Sequence, residues 1–189
     1  MKTFFQALRL FLVLTILTEI LYPFGITFLS NLCFPNQANG NLIEKNGKII
    51  GSKLIAQNFK DPKYFWPRPS AVDFGTVPSG ASNFSPTNAK LKEIVLKREE
   101  SFRVSNEFLQ SESVPSEMLF ASASGLDPHI SPEAARLQVS RIVATRQLNT
   151  MQKTRLFQLI KSHTEGPQFG FFGEPRVNVL NLNLALDSL

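Results

Sequence analysis

Cysteine is nearly absent from this chain, since Cys33 is the only one among 189 residues. A single thiol cannot form an intramolecular disulfide, so the folded part depends on its apolar core alone. The two histidines, His129 and His163, belong to no Cys/His cluster with zinc-ligand spacing. A phosphate-binding loop, a dinucleotide fingerprint and a nucleophile elbow are also missing. The sequence therefore predicts no metal or cofactor bound by this chain.

Clusters of one charge sign are missing as well. The chain has 20 Lys and Arg against 15 Asp and Glu, and the two signs are interspersed along it. A nucleic-acid site would group the basic residues and interleave them with exposed aromatic residues. The basic balance therefore predicts a solvated surface and no nucleic-acid partner.

Long apolar runs are missing after residue 33, but one run fills the N-terminal region. Residues 10–33 contain one charged side chain, Glu19. As a helix rising about 1.5 Å per residue this run reaches about 36 Å, and the hydrocarbon core of a bilayer is about 30 Å thick. We predict a transmembrane helix at residues 10–34, followed by one domain at residues 35–189.

The charges that flank this run predict its orientation. Lys2 and Arg9 precede it, whereas residues 34–41 contain no Lys or Arg. Short cytoplasmic segments carry the excess of basic residues. We therefore expect residues 1–9 to be cytoplasmic and residues 35–189 to be extracytoplasmic.

Two alternatives to a permanent anchor are a cleaved signal peptide and a lipoprotein. A signal peptide has a shorter apolar core and a cleavage site of small residues, but no alanine occurs between Ala7 and Ala38. A lipoprotein needs small residues before its cysteine, and Leu32 before Cys33 is bulky. The uncleaved single-pass anchor is the favoured interpretation.

Three residues inside the predicted span are candidates for contact with a partner's helix. Glu19 is costly to bury in lipid, by about 2.5–3.5 kcal/mol at the bilayer centre, so it should be protonated or turned toward a polar neighbour. A proton relay is one reading, and packing against another subunit is the preferred one. Tyr22 and Pro23 lie near mid-depth, where proline favours a kink unless neighbours satisfy the backbone.

Local patterns predict a single mixed α+β domain after the span. Asn46-Gly47 between two short apolar runs predicts a hairpin over residues 42–50. The other predictions are a further strand at 52–57, loops at 61–71 and 74–88, and helices that begin at Ser85-Pro86, at Ser131-Pro132 and at Asn149 or Thr150. The last of these helices should end at Gly166-Pro167. Residues 177–186 read as a strand with a bulge or a change to helix near its end.

Residues 121–129, which we term the small-residue loop, contain Ser122, Ser124, Asp127 and His129. One reading is a hydrolase nucleophile with its base. A catalytic triad needs residues that converge from separate elements, and these follow one another on one loop. The preferred reading is that the side chains bond neighbouring backbone groups and that Gly125 supplies a positive φ.

Residues 61–71, which we term the aromatic–proline loop, are the better candidate for recognition. Rigid loops that carry aromatic residues and arginine are typical of interface hot spots. Packing onto its own domain is an equally good reading of this loop. The turn from Gly173 to Arg176 offers a local ion pair at a strand entry.

The chain resembles the C subunit of the Kdp high-affinity potassium-transporting ATPase of bacteria. The matching stretches are YP at 22–23, QANGNLI at 37–43, GSKLIAQ at 51–57, YFWPRPSA at 64–71, SGASN at 79–83, ASASGLD at 121–127, ISP at 130–132 and the run 173–187. They occur in family order over nearly the whole chain. Glu19, Ala81 and Asn181 depart from the family pattern.

The resemblance implies a non-catalytic accessory subunit of an ATP-driven potassium uptake pump in the inner membrane. The implied partners are a channel-like potassium-translocating subunit, a P-type ATPase subunit, a small membrane peptide and the lipid bilayer. The family subunit is described as a catalytic chaperone that raises the pump's ATP affinity, and residues 79–83, here termed the signature loop, are compared with nucleotide-sensing signatures. ATP and potassium would act in the complex.

Two other functions stay open from the residues alone, an anchored extracytoplasmic hydrolase and a plain binding module. The weak nucleotide-signature candidates are Ser79, Gly80, Ser82 and Asn83. The partner-interface candidates are Glu19, Tyr22, Pro23, Tyr64, Phe65, Arg68, Ser122, Ser124, Gly125, Asp127 and Arg176.

Overall fold

The computed structural model describes residues 1–106 and 113–189. These residues form two compact units, Met1–Ile50 and Gly51–Leu189. The first unit contains the long N-terminal helix, and the second contains a mixed arrangement of helices and short strands. The α+β fold class with an N-terminal apolar helix is as predicted.

The N-terminal helix is continuous from Lys2 to Cys33 and has 32 residues. It consists of α1 (Lys2–Thr15), a π-helical segment (Ile16–Leu21) and α2 (Tyr22–Cys33). Its most apolar window has a mean hydropathy of 1.9 and none of that window is buried. By length and composition this helix can cross a membrane, which agrees with the predicted span.

The π-helical segment lies immediately before Tyr22-Pro23. Proline has no N–H to donate, and in a regular α-helix its ring collides with the carbonyl four residues earlier, here that of Glu19. A π-helical turn inserts extra backbone at this point and lets the helix continue. The structure thus accommodates Pro23 by local widening of the helix that contains Glu19.

A short helix α3 (Pro35–Ala38) precedes the hairpin of β1 (Leu42–Lys45) and β2 (Lys48–Ser52). Asn46 and Gly47 connect the strands with φ of 54° and 73°, the backbone that Asn-Gly favours in a two-residue turn. The hairpin prediction is confirmed. The further strand predicted at residues 52–57 is wrong, because the chain turns after β2 and the Ser52 hydroxyl accepts the Leu54 N–H at 3.1 Å.

The second unit places its helices around a small antiparallel sheet. Its helices are α4 (Ala89–Ser105), α5 (Ser116–Leu119), α6 (Pro132–Leu137), α7 (Val139–Arg146), α8 (Thr150–Ser162) and α9 (Val179–Leu186). Its strands are β3 (His129–Ile130), β4 (Thr164–Glu165) and β5 (Arg176–Asn178). The strand order is β3-β5-β4. Residues 177–186 do change from strand to helix, but the change occurs at Val179 and not near the end of the run as predicted.

Side-chain caps fix where the helices begin. Ser131 accepts the Ala134 N–H at 3.0 Å, as its Ser-Pro signal predicts. Asn149 and Gln152 form a reciprocal capping box at the start of α8. The predicted start at Ser85-Pro86 is wrong, because Asn88 is the cap and accepts the Lys90 N–H at 2.8 Å.

The end of α8 also differs from the prediction. The helix ends at Ser162, ahead of Gly166-Pro167. Residues Thr164 and Glu165 leave the helix to pair with β5, opposite Val177 and Arg176. The helix therefore ends because the following residues pair with β5, and not because of Gly166-Pro167.

The core of the second unit lies between the sheet and the helices α6 to α9. Val177 of the central strand is fully buried, and its neighbour Ile130 on β3 is paired with it. Among the largest fully buried apolar side chains are Phe65, Ile130, Ile142, Leu156, Ile160, Leu182 and Leu186. On α4, Phe102 is the one buried residue.

Candidate functional site

The small-residue loop and the aromatic–proline loop meet at an ion pair. Arg68 donates from one terminal nitrogen to the Asp127 carboxylate at 2.8 Å. The backbone N–H of His129 donates to the other Asp127 oxygen at 3.0 Å, and the His129 ring nitrogen lies 3.5 Å from that same oxygen. Both side chains of the ion pair are about one-third exposed or less, so the pair lies at the surface of the second unit.

Burial and hydrogen bonding act against each other at Asp127. Partial burial by itself raises the pKa of its carboxyl, and the hydrogen bonds from His129 and the charge of Arg68 outweigh this and lower the pKa to about 2. Asp127 is therefore ionised at neutral pH and attracts the Arg68 guanidinium. The pair joins the two loops electrostatically.

Backbone hydrogen bonds hold the small-residue loop against three other stretches of the chain. They link it to the segment after β2, to the aromatic–proline loop and to the signature loop. The bonds run from Ala56 N to Leu126 O at 2.9 Å, from Ser122 N to Pro69 O at 3.3 Å and from Gly80 N to Ser124 O at 2.9 Å. Stretches that were separate candidates in the sequence thus form one surface. We term this surface the loop cluster (residues 66–83 and 121–129).

Gly125 is required at the centre of the loop cluster. Its φ is 72°, a backbone that residues with a Cβ rarely adopt. A Cβ there would lie 2.7 Å from the Val72 side chain and 2.9 Å from the Gly80 carbonyl oxygen. The predicted positive φ is confirmed, and Gly125 itself is buried.

The two serines of the small-residue loop bond the backbone. The Ser122 hydroxyl accepts the Asp127 N–H at 3.4 Å and the Ser124 hydroxyl accepts the Leu126 N–H at 3.1 Å. Within residues 1–106 and 113–189 neither hydroxyl has a hydrogen bond to the His129 ring. The preferred reading of this loop as a structural turn fits these contacts, and a Ser–His nucleophile pair does not.

Two buried amide side chains bind the backbone of the aromatic–proline loop. Asn183 on α9 accepts the Phe65 N–H at 2.8 Å and donates to the Phe65 carbonyl at 3.0 Å. Gln138, between α6 and α7, accepts the Trp66 N–H at 2.7 Å and donates to the Trp66 carbonyl at 3.2 Å. Each amide bonds both the N–H and the carbonyl of one loop residue, as a neighbouring strand would. The backbone hydrogen bonds of these two residues are therefore satisfied although the segment is irregular.

Arg141 completes this support. It is 4% exposed and lies over the Trp66 ring, with its guanidinium carbon 3.7 Å from the ring centroid. It donates to the carbonyls of Pro62 and Tyr64 and to the Asn106 amide. Burial lowers the pKa of Arg141 to about 10, so it remains charged at neutral pH.

Three of the interface candidates lie in positions that change their role. Phe65 is fully buried and belongs to the core, so the prediction that it contacts a partner is wrong. Ser122 is also buried, at 4% exposed. Arg176 pairs with Glu165 across β4 and β5 at 3.2 Å, which corrects the local ion pair predicted for the Gly173 turn.

Tyr64 lies near the start of the aromatic–proline loop, away from Arg68. Its hydroxyl donates to Asp187 at 3.1 Å, and Arg146 pairs with the same carboxyl group at 2.7 Å. Burial, together with the Asp187 hydrogen bond, raises the pKa of Tyr64. Arg146 also donates to the Lys63 carbonyl at 2.8 Å, so this group fixes the start of the loop.

The signature loop is exposed at Ser79, Ser82 and Asn83 and lines one side of a cavity of about 540 Å³. A phosphate cradle leads directly into a helix N-terminus, whereas α4 begins only at Ala89. In the part of the chain that is described, no three His, Cys, Asp or Glu side chains are grouped as a metal site requires. Nucleotide contact by the signature loop stays a prediction.

The structure brings together Arg68, Ser124, Gly125, Asp127 and Gly80, and it leaves Tyr64 and Arg176 elsewhere on the second unit. Glu19, Tyr22 and Pro23 belong to the first unit. The supporting residues Gln138, Arg141, Arg146, Asn183 and Asp187 were not predicted. The one signal for them is a polar side chain at an inward position of an apolar helix, as for Gln138 between Ala135 and Ile142.

These features define a membrane-associated protein with one candidate span and an α+β unit that carries a rigid, ion-paired loop surface. The chain matches the family of K+-transporting ATPase c chains, KdpC, over residues 4–188. It is 47% identical to a potassium-transporting ATPase KdpC subunit of Dechloromonas aromatica, covering 100% of this chain and 99% of that protein. The KdpC subunits of Methylococcus capsulatus and Citrifermentans bemidjiense are 48% and 45% identical, over 98% and 100% of this chain and 97% and 98% of theirs.

The chain therefore belongs to the KdpC family and is a subunit of a potassium uptake pump.

Proposed function

We propose that this chain is a non-catalytic accessory subunit that stabilises the pump and promotes ATP use by its P-type ATPase subunit. In this proposal the N-terminal helix packs beside helices of the complex in the inner membrane. The α+β unit lies outside the cytoplasm and docks on the channel-like potassium-translocating subunit through the loop cluster. A small membrane peptide is the fourth component of the complex.

The observation that carries the proposal is that both serine hydroxyls and the Asp127 carboxylate of the small-residue loop already have partners within the second unit. Ser122 and Ser124 accept backbone N–H groups, and Asp127 is paired with Arg68. A surface held this rigidly loses little conformational entropy when a partner binds it, which favours docking over chemistry.

The orientation is supported by charge and not by the arrangement of the two units. Lys2 and Arg9 lie at the N-terminal side of the helix, and residues 34–41 contain no basic side chain. With the α+β unit outside, contact with cytoplasmic ATP is excluded. Any effect on ATP affinity must then arise because the subunit binds two states of the pump with different affinity.

The experiment that tests this role is potassium-stimulated ATPase activity of the purified complex with Arg68→Ala or Asp127→Ala. Loss of the ion pair loosens the loop cluster, so we expect less of the subunit in the complex or a KM for ATP raised by about 3- to 10-fold with an unchanged kcat. Arg155→Ala, an exposed basic residue on α8, is the matched control. Normal assembly and normal ATP dependence in both variants would reject the docking assignment.

The non-catalytic part of the proposal has its own test. Incubation of the full chain with a serine-directed fluorophosphonate should give no covalent label, because both hydroxyls of the small-residue loop are engaged with backbone groups. Stoichiometric labelling that is lost in Ser124→Ala or Ser122→Ala would establish the hydrolase alternative.

A further inference from the structure

A cavity of about 390 Å³ lies between α4 and the aromatic–proline loop of the second unit. Its volume is typical of small-molecule sites, which occupy about 300–1,000 Å³. The apolar lining consists of Phe59, Trp66, Pro67, Pro69, Phe74, Phe102 and Met118. Among the described residues, the charged lining consists of Lys60, Arg68, Lys97 and Arg98 and includes no Asp or Glu.

Three of these four cations have carboxylate partners outside the cavity. Lys97 pairs with Glu93 at 2.7 Å and Arg68 pairs with Asp127 at 2.8 Å. Lys60 lies 3.6 Å from Asp73. Their charges are thus already compensated without any ligand.

Arg98 is the exception among the cavity's cations. It donates to the Leu119 carbonyl at 2.8 Å, and it has no ion pair with any carboxylate of residues 1–106 or 113–189. Burial lowers the pKa of its guanidinium. A partly desolvated guanidinium without a counter-charge is costly, and an anion in the cavity removes that cost.

Arg68, which also lines the cavity, has a buried Nε with no hydrogen-bond partner within residues 1–106 and 113–189. Its terminal nitrogen donates to Asp127. Buried donors without partners are rare in folded proteins. The cavity therefore combines one uncompensated positive charge with apolar and aromatic walls.

We propose that this cavity binds an amphiphilic monocarboxylate, with the carboxylate at Arg98 and an aromatic or aliphatic body against Trp66, Phe74 and Met118. Guanidinium groups bind carboxylates in a two-pronged geometry. One uncompensated charge matches one carboxylate, whereas a triphosphate would carry several charges without partners. This inference does not depend on the accessory role proposed above. The carboxylate can belong to a free molecule or to an acidic side chain beside an apolar one in another subunit.

Trp66 provides the measurement, since it is the only tryptophan of the chain and lines this cavity. The full chain in lipid nanodiscs is titrated with phenylbutyrate, and the Trp66 emission is recorded. We expect a saturable change with phenylbutyrate and none with the neutral phenylbutyramide or with inorganic phosphate. A response that is absent, or equal for acid and amide, would overturn the proposal.

Variants of Arg98 separate binding from folding. Arg98→Met keeps an apolar stem and should weaken phenylbutyrate binding by about 10- to 100-fold, because a charge-assisted hydrogen bond is lost. Arg98→Lys keeps the charge but loses the two-pronged geometry, so it should weaken phenylbutyrate binding less than Arg98→Met does. Lys92→Met, on the exposed face of α4 and outside the cavity lining, is the matched control. Equal affinity of Arg98→Met and the wild type would contradict the site.

The assembled pump distinguishes the two sources of the carboxylate. Line broadening of fluorophenylbutyrate in ¹⁹F NMR is compared for the isolated chain and the complex. Binding by the isolated chain that persists in the complex identifies a free ligand. Binding that the complex abolishes identifies a carboxylate side chain of another subunit. No binding in either sample would refute the inference.

Discussion

At the scale of single residues, Asp127 shows how a partly buried carboxyl can stabilise two loops. Its pKa is lowered from 3.8 to about 2, so the folded state binds the proton more weakly than the unfolded state. The corresponding stability is fully present above about pH 4 and is lost as the pH falls toward 2. The shift corresponds to at most about 2 kcal/mol, and partial exposure of the pair reduces this to about 1 kcal/mol.

Asp127→Asn should therefore lower the free energy of unfolding by about 1–2 kcal/mol at neutral pH. The difference from the wild type should shrink as the pH falls from about 4 toward 2, since the wild-type carboxyl then becomes protonated. Urea unfolding of the full chain, followed by Trp66 fluorescence, measures it. Glu93→Gln removes an exposed pair on α4 and should leave the free energy of unfolding close to that of the wild type at every pH. A pH-independent difference for Asp127→Asn would contradict the assigned ionisation.

Gly125 gives a second prediction at this scale. Gly125→Ala should destabilise the second unit by about 2–4 kcal/mol, because the new Cβ meets the Gly80 carbonyl and the backbone lies at positive φ. Thermal melting by circular dichroism measures the loss. Gly166→Ala has open space around its Cβ and should melt near the wild-type temperature. Equal melting temperatures for both variants would show that the loops do not meet as described.

At the scale of elements, buried amide side chains take the place of a neighbouring strand for the aromatic–proline loop. Gln138 and Asn183 each satisfy both backbone groups of one loop residue. Proline-rich segments cannot form a regular ladder, so side chains from helices supply the missing partners. The loop thereby presents Arg68 in a fixed position.

Asn183→Ala tests this support. The variant leaves the buried Phe65 N–H and carbonyl without partners and should cost about 2–4 kcal/mol. Hydrogen exchange of residues 62–67 should accelerate, and the Trp66 emission should shift to the red. Asn181→Ala, on the same helix, changes a side chain that has no hydrogen bond to the loop within the described residues, and it should leave both readouts unchanged. Unaltered exchange in Asn183→Ala would show that the loop is held by other contacts.

Local signals explain which elements could be predicted from the sequence. Asn46-Gly47, Ser131-Pro132 and Asn149 each specify a turn or a cap by their own chemistry, and these predictions are confirmed. The strands β3, β4 and β5 have two or three residues, too few for an alternating pattern. They form because distant segments pair with one another, which no local pattern reveals.

The candidate site also combines features that local sequence signals predict with features that depend on contacts between distant residues. The glycine requirement at Gly125 and the structural use of the small-residue serines could be predicted from local turn chemistry. The pairing of Arg68 with Asp127 joins residues that are distant in sequence, so the chain pattern alone marked them only as separate candidates. The sequence left contact with a partner and packing onto the domain equally open for the loop that contains Phe65. The structure buries Phe65, and Asn183, far away in the sequence, binds its backbone.

At the scale of the whole molecule, the described residues combine one apolar helix that is long enough to cross a membrane with one α+β unit. The helix Lys2–Cys33 exposes apolar side chains along its length, which suits lipid or the helices of other subunits. The second unit has its own core and presents the loop cluster. As a subunit of a potassium uptake pump, the chain can act without chemistry of its own if it binds one state of the pump more tightly than another.

The most direct test of this account is the side of the membrane on which the α+β unit lies. In a Cys33→Ala background, Val77→Cys places a thiol at a residue that is 92% exposed, and Lys2→Cys reports on the N-terminus. A membrane-impermeant maleimide is applied to cells whose outer barrier has been opened. With the α+β unit outside the cytoplasm, we expect labelling of Val77→Cys in intact spheroplasts and labelling of Lys2→Cys only after lysis. Labelling of Val77→Cys only after lysis would place the unit in the cytoplasm and contradict the proposed docking outside.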